Sequence, residues 1–79
     1  MIFMRIVDVW KQDNKILAYC IGRGIDEQFS CKEITVDGKH FDVTGIDILK
    51  SISGEISIVL GLACSNPQSV PHSEIVVVS

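Results

Sequence analysis

Residues 32–48, with the sequence Lys-Glu-Ile-Thr-Val-Asp-Gly-Lys-His-Phe-Asp-Val-Thr-Gly-Ile-Asp-Ile, decide the fold class of this chain. Two segments rich in β-branched and aromatic residues flank Asp37-Gly38, and an Asp-Gly pair is typical of a two-residue hairpin turn. Both residues of such a type I′ turn adopt positive φ angles, and the twist of the turn matches the twist of the flanking strands. The sequence therefore predicts a β-hairpin whose register is set at Asp37-Gly38.

A second hairpin is predicted near the N-terminus. Residues 2–10 and 16–21 are β-prone, and the polar run 12–15 separates them. Trp10 and Tyr19 are expected to face each other across this hairpin as an aromatic pair, whereas an exposed Trp10 would instead be an anchor for a partner. Beyond this hairpin, Gly22-Arg23-Gly24 interrupts the second strand, which indicates a bulge, a bend or a close approach of two backbones.

The second half of the chain continues the β pattern. A strand from residue 39 to residue 48 is expected to bend at Gly45, as a small barrel requires, and residues 49–54 form a connection. Residues 55–63 show the clearest period-two alternation, which predicts a strand that lines the core. The residues on its core-facing side are Ile56, Ile58, Leu60 and Leu62.

The last part of the chain completes the strand count. Asn66-Pro67 and Val70-Pro71 bracket a loop, because proline lacks the backbone donor that a central strand needs, and residues 74–78 supply a final strand. Six strands with no helix of note predict an all-β protein. We expect a small six- to seven-stranded antiparallel β-barrel that forms a single domain over residues 1–79.

Composition limits the possible partners. The chain has 79 residues, 47% of them hydrophobic, and a formal net charge of −3. Its seven Lys and Arg residues are scattered, so we expect no DNA binding and no strong non-specific binding to nucleic acid. No apolar run is long enough for a membrane span, and Arg5 and Asp8 fall inside what would be a signal-peptide core. A cytoplasmic protein is predicted.

The cysteines and histidines do not form a recognisable reactive site. Cys20, Cys31 and Cys64 are an odd number at wide spacing, with no C-x-x-C pair, so buried reduced thiols are predicted rather than disulfides or a zinc site. We expect no metal, no cofactor and no catalytic residue. A small enzyme that uses Cys64 or Cys20 with His72 is the least favoured alternative.

Several short motifs follow one another in a distinctive order. Arg23-Gly24 comes after the second strand, then Val43-Thr44-Gly45-Ile46-Asp47, then Gly61-Leu62, then a proline-containing loop and a last strand. This order resembles the second domain of translational GTPases such as elongation factor Tu, in which an R-G pair follows the second strand and a V-T-G-I-E-like strand precedes a strand ending in G-L-L-L. The similarity covers nearly the whole chain.

The resemblance implies a non-catalytic platform that binds a protein or RNA. In the family this barrel docks against the nucleotide domain, and in elongation factor Tu it helps hold the aminoacylated 3′ end of tRNA. Arg23, Gly24, Gly61 and Leu62 match motif positions, while Ala63-Cys64-Ser65 replaces the family's second Arg-Gly. No G-x-x-x-x-G-K-[ST] motif is present, which excludes a P-loop nucleotide site in this chain.

Other interpretations of the candidate site residues stay open at this point. Arg23 is either a ligand contact or a surface partner of Asp26 or Glu27. His72, beside a proline, lies in a loop that a partner can reach, and Ser51 and Ser53 either bind an anion or only form a connection. The alternative function is a protein–protein or self-association module. It would use Trp10 and the edge of the final strand, Val76-Val77-Val78.

Overall fold

The structure, a computed structural model, describes residues 3–77, and these form a closed six-stranded antiparallel β-barrel. The strands in chain order are β1 (Phe3–Gln12), β2 (Lys15–Arg23), β3 (Glu33–Val36), β4 (Lys39–Lys50), β5 (Ile56–Leu62) and β6 (Glu74–Val77). Around the barrel the order is β1-β2-β5-β4-β3-β6, and β6 closes the ring by pairing with both β1 and β3. The predicted all-β barrel is confirmed, with six strands.

Both predicted hairpins are present, and both have two-residue turns. Asp37 and Gly38 have φ angles of 50° and 77°, as a type I′ turn requires. Asp13 and Asn14, with φ angles of 51° and 65°, connect β1 to β2 in the same way. Asp and Asn tolerate this left-handed conformation better than other non-glycine residues, so each turn is set by its own sequence.

The register of the first hairpin differs from the expected one. The Asp13-Asn14 turn places Trp10 opposite Leu17, and Tyr19 lies opposite Asp8. The prediction that Trp10 and Tyr19 face each other is therefore wrong. They lie diagonally on the same face of the sheet. An irregularity between Ile6 and Asp8 shifts the register again further along the pair.

The predicted bend in β4 occurs as a register shift between Val43 and Gly45. Residues 39–42 of β4 pair with β3, and from Val43 onwards β4 pairs with β5. One long strand thus serves two sides of the barrel, which is how a bulge turns a sheet corner. The strand continues through Leu49 and Lys50, so the connection begins later than predicted, at residue 51.

Gly22 lies inside β2 rather than interrupting it, and β2 ends at Arg23. A Cβ atom placed on Gly22 would collide with the carbonyl group of Phe3 on β1 and with the side chain of Ile25. Of the three interpretations that the sequence offers for this glycine pair, a close backbone approach is the one observed. Gly24 follows the strand with a φ angle of 74° and turns the chain into the next loop.

The barrel interior is entirely apolar over the described residues, with no buried polar or charged side chain. β5 contributes the predicted face, because Ile58, Leu60 and Leu62 are buried and Ile56 is half-buried. The proline loop contains a short 3-10 helix, Pro67–Ser69, whose first turn is capped by Asn66. The buried apolar residues are Met4, Ile6, Ile16, Ala18, Cys20, Cys31, Ile34, Val36, Phe41, Ile58, Leu60, Leu62, Val70 and Ile75.

Candidate functional site on the outer face of the barrel

The outer face of the sheet formed by β1, β2, β5 and β4 carries an apolar band where a solvent-facing sheet surface is normally polar. Residues paired across neighbouring strands share one face, so the register gives the rows of this surface. One row runs Trp10, Leu17, Gly61 and Gly45, and the next runs Asp8, Tyr19, Val59 and Asp47. A third runs Arg5, Ile21, Ser57 and Leu49.

The apolar members of these rows are not covered by the rest of the described chain. Ile21 and Leu49 are each 47% exposed, and Trp10, Leu17, Tyr19 and Val59 are half-buried. We call the surface made by Trp10, Leu17, Tyr19, Val59, Ile21 and Leu49 the outer apolar face. Contiguous apolar surface of this kind, bordered by charges, is typical of interaction sites.

The two glycines of the first row open a depression at one end of the outer apolar face. Gly61 is next to Leu17 on one side and Gly45 on the other, and the depression has a volume of about 320 Å³. Lys15 and Asp47 lie at its margins. Because Gly45 has open space where a Cβ atom would be, packing does not require a glycine there.

The residues singled out from the sequence are not brought together into one site. Trp10 and Gly61 share a row, but Arg23 pairs with Phe3 at the other end of the sheet. Arg23 and Leu17 are six positions apart on β2, which corresponds to ~20 Å of strand. Gly24 adjoins Arg23, beyond the end of the strand.

Neither Leu62 nor His72 contributes to the outer apolar face. Leu62 is 3% exposed and points into the barrel, so its side chain cannot contact a ligand on the surface. The resemblance placed it in the site, yet its parity with Leu60 and Ile58 already indicated the core. His72 is exposed in the loop before β6, as expected, and this loop is tied to the barrel by a bond from the Ile6 N–H to the Ser73 carbonyl.

Arg23 is exposed, and it forms no ion pair with any of residues 3–77. The alternative in which Asp26 or Glu27 neutralises it is not observed. Glu27 instead accepts a bond of 3.0 Å from Lys50 Nζ, and Asp26 Oδ1 accepts the Gln28 N–H at 2.8 Å. The charge of Arg23 is therefore available to an outside partner.

Two of the three cysteines, Cys20 and Cys31, lack the features of a nucleophile. Cys20 is fully buried, and this burial, with a smaller contribution from Cys31, raises the pKa of its thiol to about 12. Burial also raises the pKa of Cys31. A raised pKa keeps a thiol protonated and unreactive. Cys64 is half-buried, and all three cysteines are free.

The serines of the 51–54 turn are used by the turn itself. Ser51 Oγ and Ser53 Oγ lie 2.9 Å apart in a hydrogen bond, and Ser51 Oγ also accepts the Glu55 N–H at 3.1 Å. This arrangement supports the structural interpretation over an anion site. Across residues 3–77 no group of three or more His, Cys, Asp or Glu side chains is placed to hold a metal ion. Within the same residues, no helix has the length and apolar content needed to cross a bilayer.

Comparison with known proteins adds no identification: no family model, curated protein or solved structure matches this chain. The surface that stands out is one the sequence suggested only in part. Trp10 was singled out and Tyr19 was expected to pair with it, but Leu17 and Val59 were not linked to them. Their juxtaposition depends on the pairing of β2 with β5, two strands that are not consecutive in the chain.

Proposed function

We propose that this chain is a non-catalytic binding module that holds a protein partner against the outer apolar face. The observation that carries the proposal is the row structure of that face, in which Leu17, Tyr19 and Val59 occupy adjacent outward positions on β2 and β5. Aromatic and aliphatic side chains grouped in this way are the usual anchors of protein interfaces. The resemblance to the second domain of translational GTPases supports the same kind of role, because that barrel is a docking platform.

Charge favours a protein over RNA at this face. Asp8 and Asp47 stand at the two ends of the row that contains Tyr19 and Val59, and both repel phosphate. The net charge of −3 acts in the same direction over longer distances.

RNA is the second candidate, at the other end of the sheet. Arg5 pairs with Ile21 and Arg23 pairs with Phe3, so two arginines stand on neighbouring strands beside exposed apolar side chains. Neither arginine has an ion-pair partner within the described part of the chain. Contacts between arginines and phosphates, together with stacking on an aromatic ring, are the chemistry by which single-stranded RNA is bound. A translation-linked RNA partner would use this end.

The edge-strand alternative has less support. β6 forms ladder pairs with β1 through Glu74 and Ile75 and with β3 through residues 75–77, as a member of a closed ring. A paired strand has few free backbone groups to offer an added strand. Val78, which belongs to that alternative, lies outside the described residues.

The test is a pull-down from lysate with and without nuclease, using the wild type, Leu17→Gln and Val76→Gln. Leu17 is on the outer apolar face, whereas exposed Val76 is on β6, the strand opposite β5 in the ring, and serves as the control. We expect recovery of one protein that resists nuclease, is lost with Leu17→Gln and is kept with Val76→Gln. Equal recovery by the two variants would contradict docking at this face.

A titration distinguishes the RNA candidate. Isotope-labelled protein is mixed with an aminoacyl-tRNA 3′-end mimic, and chemical shifts are followed for the wild type and Arg23→Ser. Saturable shifts near Arg23 that disappear in the variant would support RNA binding. No shifts at high ligand concentration would leave only the protein partner.

A further inference from the structure

The turn between β4 and β5 presents a fully exposed isoleucine on a rigid support. Ile52 has no side-chain contact that reduces its exposure. The turn beneath it is held by backbone bonds from the Ser51 N–H to the Glu55 carbonyl at 2.9 Å and from the Gly54 N–H to the Ser51 carbonyl at 3.0 Å. The Ser51–Ser53 hydroxyl bond adds a third restraint. An apolar side chain held in this way enters a pocket without a large loss of loop entropy.

A depression lined by both apolar and polar side chains adjoins this turn. It has a volume of about 430 Å³ and is lined by Tyr19, Ile21 and Arg23 on the β2 side and by Ser51, Glu55 and Ile56 on the other. Ser51 therefore belongs both to the wall of the depression and to the turn that presents Ile52. The depression and the turn that carries Ile52 are therefore adjacent.

The charges of this surface are also complementary to each other. Arg23 and Glu55 both line the depression and both are exposed. The ion pairs found within residues 3–77 are Lys50–Glu27 and His40–Glu33, so neither Arg23 nor Glu55 is neutralised there. One surface thus contains an unpaired cation and an unpaired anion on two sides of one cavity.

We propose that this surface binds a second copy of the chain in a two-fold symmetric dimer. In such an interface the same patch of both copies is used, so every contact between residue i of one copy and residue j of the other occurs twice. A surface with a projection beside a depression can therefore fit a second copy of itself. A two-fold axis near Ser51 places Ile52 of each copy in the depression of the other and Arg23 opposite the partner's Glu55. This self-complementarity of shape and charge is what selects a second copy as the occupant. The inference rests on Ile52, Arg23 and Glu55 and not on the proposed function. Tyr19 and Ile21 line the depression and also belong to the outer apolar face, so a second copy and a protein partner would compete for that part of the surface.

The test is sedimentation velocity over a wide range of protein concentration, with Ile52→Asp and Val76→Asp compared with the wild type. Ile52→Asp should raise the dimer dissociation constant at least about tenfold, as expected for loss of a central anchor. Val76 is an exposed apolar residue on β6, the strand opposite β5 in the ring, so Val76→Asp should leave the dimer dissociation constant unchanged. Because Ile52 is fully exposed in the described part of the chain, its variant should keep the wild-type circular dichroism spectrum and Tm.

A charge exchange tests the orientation of the two copies. Arg23→Glu and Glu55→Arg should each weaken the dimer, and the double variant should restore it towards the wild-type constant. A wild type that remains monomeric at all concentrations, or a dimer that Ile52→Asp does not weaken, would overturn the proposal. A double variant that is no tighter than the single variants would overturn the reciprocal Arg23–Glu55 pairing.

Discussion

The two faces of the β2–β5 pair contain similar residue types in different surroundings. On the inner face, Ala18, Cys20, Ile58 and Leu60 are all 0% exposed. On the outer face of the same strands, Leu17, Tyr19 and Val59 are half-buried. Ladder partners are Ala18 with Leu60 and Tyr19 with Val59, so both faces are built from matched cross-strand pairs.

This difference separates apolar residues that stabilise the barrel from those available to a partner. Removal of an inner side chain leaves a cavity, because its neighbours fill the rest of the barrel. Removal of an outer side chain leaves only more exposed surface. Equal substitutions on the two faces should therefore have unequal effects on the free energy of unfolding.

The largest effect is expected for Leu60→Ala. This substitution should lower the free energy of unfolding by about 2–5 kcal/mol, because the fully buried leucine leaves a cavity in the middle of the core. The outer neighbour supplies the control, since Val59→Ala should cost less than about 1 kcal/mol. Urea denaturation measures both. Equal losses would mean that the outer face is also part of the stabilising core.

The next largest effects on stability are expected for substitutions of two glycines, one on each face of the sheet. Gly22→Ala should destabilise the barrel by about 1–3 kcal/mol, because the added Cβ atom meets the Phe3 carbonyl on the paired strand. Gly45→Ala places its methyl group in open space at a φ that is not left-handed, and should be neutral or stabilising by up to about 1 kcal/mol. Thermal denaturation of both variants tests the contrast. A destabilised Gly45→Ala would show that the bulge itself needs glycine.

The buried thiol makes the inner face sensitive to alkaline pH. The pKa of Cys20 is raised from 9.0 to about 12 in the folded state, so between these values the unfolded chain loses this proton and the folded chain keeps it. The contribution is fully present below pH 9 and is lost as the pH rises towards 12, at up to about 1.4 kcal/mol per pH unit. Urea midpoints measured at increasing pH should fall more steeply for the wild type than for Cys20→Ala. Parallel slopes for the two proteins would contradict the burial of this thiol.

The smallest effect is expected for Val59→Thr, a near-isosteric substitution that is compared with the same change at a buried valine. Val59→Thr on the outer face should change stability by less than about 0.5 kcal/mol, since the hydroxyl can reach water. Val36→Thr, at a fully buried position, should cost about 1–3 kcal/mol because its hydroxyl would lack a partner in an apolar interior. The ratio of the two losses, from denaturant titration, is the sharpest measure of how different the faces are. A large loss of unfolding free energy for Val59→Thr would mean that water cannot reach this position.

Local patterns predicted the elements of this fold better than they predicted its surface. The Asp37-Gly38 turn and the alternation in residues 55–63 each depend on only a few neighbouring residues. The hairpin and the core-facing side of the strand could therefore both be predicted from the sequence. The pairing of Trp10 with Tyr19 was wrong although the turn is local, because Leu17 and not Tyr19 lies as far beyond the Asp13-Asn14 turn as Trp10 lies before it. The outer apolar face could not be predicted from the sequence, because it forms only when β2 pairs with β5.

The separation of Arg23 from Gly61 has the same origin. Two motif positions that a resemblance associates can lie at opposite ends of a sheet, and only the register reveals the distance. Leu62 shows the reverse case, in which parity alone was enough to place a candidate contact inside the barrel.

The ring closure through β6 also determines when the barrel can form during protein synthesis. Met4 pairs with Ile75, near the two ends of the described chain, whereas the β1–β2 and β3–β4 hairpins need only neighbouring residues. On the ribosome the hairpins can fold early, but the ring stays open until β6 emerges. Throughout that interval the inner sides of β1 and β3 face solvent, and their unpaired edges are open to other nascent chains. The nascent chain is thus exposed to aggregation until β6 is available to close the ring.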